Sequence, residues 1–150
     1  MTAETDLIKL YSGRILALAA DIPNVERLSA PDATVKRRSP LCGSTVTVDI
    51  SMENGRVSQF GQDGQARALG QAAASVIGAS MIGATRDQVE RARDQLKAML
   101  KEDGPTPEAP FDELEVLRPA RDYKNRHASI MLALEATAEA MVKAAQSDCA

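Results

Sequence analysis

The most regular alternation of hydrophobic and polar residues lies between Ser44 and Met52. One face carries Val46, Val48, Ile50 and Met52, and the other carries Thr45, Thr47, Asp49 and Ser51. This period of two is typical of a half-buried β-strand. Asn54-Gly55 follows at once, and this pair adopts positive φ at both central positions of a type I′ turn. The pattern predicts a hairpin with a partner strand over residues 56–62.

A third strand is predicted over residues 33–38, before the turn around residues 40–43. It would complete a small antiparallel meander. The connector over residues 21–32 is rich in turn-forming residues and is expected to cross the surface. Because the polar strand residues from Thr45 to Ser51 suit contact with solvent, the outer face of the sheet is expected to be open.

Helical spacing of apolar residues governs the rest of the chain. A first helix is predicted over residues 4–20, before Pro23 interrupts it. A compact helix rich in small residues follows Gly64, and Gly83 would end it in a left-handed conformation. Thr85-Arg86-Asp87-Gln88 has the form of a capping box and predicts the start of another helix, which Gly104 would end.

The last helix is predicted over residues 124–145. Its apolar residues form one stripe, consisting of Ile130, Met131, Leu134, Ala138 and Met141. Residues after Gln146 are expected to be disordered. Prolines 105, 107 and 110 make residues 104–110 a stiff connector that is too polar to be buried. The order of elements predicts an α+β fold over residues 1–150, with helices packed on one face of a three-stranded antiparallel sheet in a single domain.

Composition narrows the classes of function. The chain has 150 residues, 44% of them hydrophobic and 26% charged, which is typical of one globular domain. Its net charge is −3 and its basic residues are dispersed, so the sequence gives no support for nucleic-acid binding. No apolar run approaches the length of about 20 residues that a membrane span needs. The N-terminal residues do not resemble a secretory signal, so a cytoplasmic location is expected.

Two residues are candidates for chemistry. Cys42 lies at the predicted hairpin tip beside Gly43, where a thiol would be accessible, although a lone cysteine is also a common apolar filler. His127, the single histidine, lies at the start of the last helix. It is a candidate ligand or a hydrogen-bonded histidine at the edge of the core. Cys42 and Cys149 form no CxxC motif, and a structural disulfide is not expected.

The segment Pro40-Leu41-Cys42-Gly43-Ser44, with the strand that follows it, resembles the U-type iron–sulfur cluster assembly scaffold family, the IscU, SufU and NifU N-terminal group. Residues 68–76 resemble the small-residue helix that follows the family's second cysteine. Arg126-His127-Ala128-Ser129-Ile130 resembles the family's His-Cys-Ser-Ile sequence on the last helix. The resemblance extends from about Leu7 to Met141 in the family's order of elements.

The resemblance implies a degenerate ligand set. The family uses three cysteines, an aspartate two residues after the first and a histidine before the third. The cysteine positions here hold Cys42, Arg67 and Ala128. Ser44 stands at the aspartate position, and His127 stands at the histidine position. Cys42 and His127 are therefore the retained candidates for binding an iron–sulfur cluster or zinc. A tetrahedral metal normally takes four donors. Because a guanidinium stays protonated and an alanine has no donor, Arg67 and Ala128 imply an impaired metal site.

Three functions remain open at this point. The first is a scaffold that binds iron or accepts sulfur at Cys42, with missing ligands supplied by Asp63, Cys149 or a second subunit. The second is a sulfur carrier or adaptor that builds no cluster and whose Cys42 is activated by Arg67. The third is an enzyme with Cys42 as nucleophile, His127 as base and Asp122 as orienting residue.

No catalytic sequence signature supports the enzyme, so a non-enzymatic role is expected. The resemblance implies a cysteine desulfurase as partner and apo iron–sulfur proteins as further partners. Neither nucleic acid nor a membrane is expected among the partners.

Overall fold

The computed structural model of the chain describes residues 13–23, 25–39, 43–66 and 68–148. The predicted α+β order is confirmed, and residues 4–12 of the predicted first helix lie outside the described residues. The elements are α1 (Gly13–Ala20), β1 (Ala33–Arg38), β2 (Thr45–Glu53), β3 (Arg56–Gln65), α2 (Ala68–Ser80), α3 (Arg86–Glu102), a 3-10 helix (Asp112–Asp122) and α4 (Lys124–Asp148). In these ranges, no helix combines the length and apolar character required to cross a membrane.

The three strands form the predicted antiparallel sheet in the order β1-β2-β3. At the β2–β3 turn, φ is 54° at Asn54 and 76° at Gly55, which confirms the prediction of positive φ at both positions. β3 continues to Gln65, beyond its predicted end at residue 62, and pairs with β2 as far as Thr45. The β2–β3 pairing therefore extends to Thr45 and Gln65, which are three residues after Cys42 and two residues before Arg67 in the sequence.

Helix α4 lies against the inner face of the sheet and contacts β1, β2, α2 and α3. Its buried residues include the predicted stripe but also the positions between, such as Leu132, Ala133 and Ala136. A helix that is apolar on all sides is a core helix. The helix continues to Asp148, past the predicted end at residue 145.

The helix ends are determined mostly by local sequence. Gly83 has φ of 89° after α2. The capping box is complete, because Gln88 N donates to Thr85 Oγ1 at 3.2 Å and Thr85 N donates to Gln88 Oε1 at 2.9 Å. Helix α3 ends at Glu102, and its left-handed cap is Asp103, with φ of 52°, one residue before Gly104, which was predicted to end it. An aspartate tolerates this conformation, and hydrogen bonds from Arg118 and Arg121 hold its carboxylate.

The 3-10 helix over Asp112–Asp122 was not predicted. It buries Phe111, Leu114, Leu117 and Ala120 completely. Their spacing of three is the repeat of a 3-10 helix, which places successive apolar residues on one face. The proline-rich connector before it is also packed in part, since Pro107 is buried. The prediction that residues 104–110 are too polar to be buried is therefore wrong at Pro107, whose apolar ring has no N–H donor to satisfy.

The outer face of the sheet is not open at Asp49, contrary to the prediction. Asp49 is fully buried. Its Oδ2 accepts from Arg27 Nε at 2.6 Å and from Leu28 N at 3.0 Å, and its Oδ1 accepts from Thr34 Oγ1 at 2.6 Å and from Arg27 Nη2 at 3.2 Å. Burial alone would raise the pKa of Asp49, but these hydrogen bonds lower it below its ordinary value. The carboxylate thus fastens the connector to the sheet.

Gly61 allows the connector to approach this closely. It pairs with Asp49 across the sheet, and a Cβ at Gly61 would overlap the carbonyl oxygen of Glu26. The segment that was expected to cross the molecular surface therefore covers the middle of the outer face.

Candidate metal and sulfur site

Three elements meet at small residues at one end of the sheet. Ser44, which precedes β2, lies with its Oγ 3.0 Å from Oγ of Ser129 on α4, and both residues are buried. A Cβ added at Gly70 of α2 would lie 2.5 Å from Ser129 Oγ and 3.0 Å from Ala66 Cβ. Because real Cβ atoms do not approach so closely, a glycine at position 70 lets α2 pack against α4. The entry to β2, the first turn of α2 and the second turn of α4 therefore converge.

These contacts bring together the chain on either side of the predicted ligand positions. Ser44 is two residues after Cys42, Gly70 is three residues after Arg67, and Ser129 directly follows Ala128. Cys42 and Arg67 themselves lie outside the described residues. On the two sides of residues 40–42, Gly43 N donates to Ser39 O at 2.9 Å and Ser39 N donates to Ser44 O at 2.8 Å.

His127 is buried at the start of α4. Its Nε2 lies 3.0 Å from the carbonyl oxygens of both Ala120 and Arg121. A carbonyl can only accept, so Nε2 carries the proton and donates. In the neutral ring this leaves the lone pair on Nδ1. Metal-ligating histidines commonly donate their other N–H to a backbone carbonyl, and so do structural histidines, so both interpretations of His127 agree with this geometry.

The surroundings of His127 are cationic. It lines a cavity of about 280 Å³ together with Lys101, Arg121 and Lys124. Positive charge near a ligand position disfavours a metal cation. Asp122, the suggested orienting residue for His127, lies 3.8 Å from the Arg121 guanidinium, and the histidine N–H donates to carbonyl groups. The arrangement of an enzyme triad therefore receives no geometric support from these contacts.

The described donors do not form a four-donor metal site. Among the residues that the structure describes, no three His, Cys, Asp or Glu side chains are grouped so that they could hold a metal ion. Ser44 offers a neutral hydroxyl engaged with Ser129, and Ala128 offers none. Asp63, a suggested substitute ligand, lies on β3 opposite Thr47 and is exposed. Cys149, the other suggested donor of this chain, lies outside the described residues.

Comparison with solved structures decides the family. The crystal structure of a nitrogen-fixing NifU-like protein (N-terminal) from Brucella abortus is 42% identical, with a TM-score of 0.92, over 94% of this chain and 98% of that one. The chain belongs to the U-type, NifU-like scaffold family. The resemblance and the fold class predicted from the sequence are both confirmed.

A more distant structure has the same fold. A protein described as an iron–sulfur cluster assembly scaffold for the SUF system, from Fervidobacterium islandicum AW-1, is 15% identical with a TM-score of 0.78, over 89% of this chain and 98% of that one. No protein-family model and no curated protein matches the chain.

Sequence reasoning missed Gly70 and Ser129 as parts of the site. Gly70 belongs to the small-residue run over residues 68–76, and Ser129 belongs to the family-like segment on the last helix. Both segments were identified, but only the fold shows that these two residues touch. They shape the site by packing, since neither supplies a metal ligand.

Proposed function

We propose that this protein is a non-enzymatic, cytoplasmic scaffold-like protein of iron–sulfur cluster assembly, which accepts sulfur at Cys42 and has an impaired metal site. Membership of the U-type family supports the assembly role. The observation that carries the proposal is the hydrogen bond between Ser44 and Ser129, because it joins the segments that contain Cys42 and Ala128. This contact supports a site in which the family's packing is kept while its donors have changed.

The proposed sulfur step needs only a nucleophilic thiolate and a persulfide. The Cys42 thiolate attacks the outer sulfur of a cysteine persulfide on a cysteine desulfurase. A sulfur–sulfur bond forms at Cys42, the original sulfur–sulfur bond breaks, and the desulfurase cysteine leaves as a thiolate. The product is a Cys42 persulfide, which carries the transferred sulfur and its proton. Apo iron–sulfur proteins are the proposed recipients downstream.

Impaired metal binding follows from the donor count. Cys42 and His127 supply two donors where a zinc or cluster iron site needs about four. Arg67 adds a positive charge at a position that holds a cysteine ligand in the family, and Ala128 replaces another. A bound iron or iron–sulfur cluster, as cargo, would require further donors from Asp63, Cys149 or a second subunit.

A second candidate function is a sulfur carrier or adaptor that never holds a cluster. The presence of Arg67 favours it, because a guanidinium near a thiol stabilises the thiolate. Alkylation of Cys42 followed against pH should then show a thiol pKa below the ordinary value of about 8.5. In the Arg67→Ala variant, the midpoint of the curve of alkylation against pH should move to higher pH, toward the ordinary thiol pKa. A wild-type midpoint at the ordinary value would remove this candidate.

Mass spectrometry of the intact protein tests sulfur acceptance. The protein is incubated with a cysteine desulfurase and cysteine, and the mass is read without reductant. Wild type and Cys149→Ser should gain one sulfur atom, and Cys42→Ser should gain none. Cys149→Ser is the matched control because the chain has two cysteines. Sulfur on Cys149 alone, or on neither cysteine, would contradict the proposal.

A further inference from the structure

Strand β1 is an edge strand whose outer side pairs with no other described strand. It pairs with β2 on one side, and its inner face contacts helix α4. The opposite edge of the sheet, formed by β3, is covered in part, because Val57 N donates to Ala84 O at 2.9 Å and Gly83 N donates to Val57 O at 2.8 Å. The free edge of β1 is therefore the more open of the two.

The register of β1 shows which of its backbone groups point away from β2. Ser39 N donates to Ser44 O at 2.8 Å, in line with the pairing of the two strands. Because hydrogen-bonded and non-hydrogen-bonded pairs alternate in an antiparallel ladder, the backbone N–H and C=O groups of Thr34, Lys36 and Arg38 point to the free edge. These three residues are exposed, and within the described ranges their backbone groups have no hydrogen-bond partner. The edge thus offers a row of donors and acceptors.

Two exposed cations lie along this edge. Lys36 and Arg38 project from the outer face of the sheet, because alternate residues share a face and the residues between them face α4. Neither cation forms an ion pair with a described residue. Arg37, on the inner face, is neutralised by Glu139 at 3.0 Å. Asp63 lies in the same row as Lys36 but two strands away, which is about 10 Å.

We propose that the free edge of β1 binds an extended acidic segment of a partner protein, which adds a fourth strand to the sheet. The backbone of this segment pairs with Thr34, Lys36 and Arg38, as in other cases of strand addition. Carboxylates at alternate positions of the segment lie opposite Lys36 and Arg38. The six residues of β1 are enough for an ordinary strand pairing. The inference does not depend on the chemistry of Cys42.

The charge of the edge determines the kind of partner. A second copy of β1 would place lysine and arginine side chains of two chains opposite one another, which is unfavourable. Basic side chains on an edge also discourage pairing with uncharged strands, so they select an acidic one. Arg38, the last residue of β1, is four residues before Cys42. A bound segment would therefore lie beside the chain that leads to the proposed sulfur acceptor.

Binding can be measured by fluorescence anisotropy with the full-length protein and a labelled eight-residue peptide of alternating glutamate and threonine. We expect saturable binding, and binding at least about tenfold weaker when lysine replaces glutamate in the peptide. Hydrogen exchange followed by NMR reports the geometry. The amides of Lys36 and Arg38 should exchange at least about tenfold more slowly in the saturated complex than in the free protein. The amides of Val35 and Arg37, which face β2, should be protected in both states.

Two N-methylated peptides separate backbone pairing from charge. One is methylated on the glutamate amides and the other on the threonine amides, so each loses the N–H donors along one of its two edges. We expect one of them to bind at least about tenfold more weakly than the parent peptide and the other to bind like it. If both bind like the parent, charge alone holds the peptide and the proposed strand addition is wrong.

Variants locate the binding on β1. Lys36→Gln/Arg38→Gln should weaken binding of the glutamate peptide by about tenfold, as expected for two exposed charges. Arg91→Gln/Lys97→Gln removes the same two kinds of exposed charge from helix α3 and should leave the affinity unchanged. Absence of saturable binding, unchanged exchange of the Lys36 and Arg38 amides, or tighter binding of an oligothymidylate of the same charge would overturn the proposal.

Discussion

Two polar sites, one within strand β2 and one just before it, have opposite characters. Asp49, in the middle of β2, is a buried carboxylate that accepts hydrogen bonds from Arg27, Leu28 and Thr34. Ser44, just before β2, is a neutral hydroxyl bonded to Ser129. The first site holds the connector on the sheet. The second joins the two segments to which the family resemblance assigns ligand positions, so the packing there can be tested separately from the proposed metal chemistry.

The largest loss of stability is expected at the Asp49 site. Asp49→Asn replaces an acceptor oxygen by an NH₂ group that faces donors, and it should lower the free energy of unfolding by about 3 kcal/mol. Urea denaturation measures this change. Arg27→Ala is the matched control and should cost about 1 kcal/mol, because the Arg27 side chain is 52% exposed. A loss in Asp49→Asn no greater than in Arg27→Ala would show that the buried carboxylate does not hold the connector.

Acid should weaken the same site. The folded protein holds the pKa of Asp49 below its ordinary value, so the unfolded chain binds more protons as the pH falls. The stabilisation is present above the ordinary aspartate pKa of about 3.9 and is lost as pH falls through the folded pKa. Hydrogen bonds from arginines also lower the pKa of Asp103 and of Glu115, so some acid dependence should persist without Asp49.

Denaturation series across this acidic range should show a shallower fall in stability for Asp49→Asn than for wild type. Parallel curves would indicate that Asp49 has the same pKa in the folded and unfolded states.

A smaller loss is expected when the approach of the connector is blocked. Gly61→Ala places a Cβ against the backbone of Glu26, and overpacking of this kind should cost about 2 kcal/mol. Gly13→Ala is the control, because a Cβ there meets no atom of the described residues within 4 Å. If thermal unfolding shifts equally in both variants, the connector is not tightly packed at Gly61.

The smallest stability effect is expected at the candidate sulfur site. Ser129→Ala removes the hydrogen bond to Ser44 and should cost about 1 kcal/mol. It should also change the rate of Cys42 alkylation, because Ser44 is two residues after Cys42 and its carbonyl oxygen accepts from Ser39 N on the other side of residues 40–42. Ser58→Ala removes a hydroxyl bond to Ser51 O, toward the opposite end of β2 from Ser44, and should leave that rate unchanged. Equal rates of Cys42 alkylation in the two variants would show that the Ser44–Ser129 hydrogen bond does not affect the reactivity of Cys42.

Local signals explain which parts of the fold were predictable. The alternation along β2, the Asn54-Gly55 turn and the Thr85–Gln88 capping box each specify a structure within a few residues. The bond from Arg27 to Asp49 joins distant segments, so no short pattern revealed that a polar strand residue would be covered. The 3-10 helix had a local signal, because apolar residues recur every three positions from Phe111 to Ala120. This spacing matches neither the period of 2 of a β-strand nor the period of 3.6 of an α-helix, so those two patterns did not reveal it.

The candidate site was predictable only through its family. Cys42 and His127 are ordinary residues by composition, and the resemblance placed them among the ligand positions. The contacts of Ser129 with Ser44 and Gly70 depend on how three elements pack, which no single segment encodes.

The central claim is that the site has kept its packing and lost its metal donors, and zinc stoichiometry tests it most directly. Wild type and the Arg67→Cys/Ala128→Cys double variant are loaded with zinc, freed of unbound metal, and analysed for metal per chain. We expect wild type to stay well below one zinc per chain and the double variant to reach about one, because it regains the two missing thiolates. Stoichiometric zinc in wild type, or none in the double variant, would contradict the account.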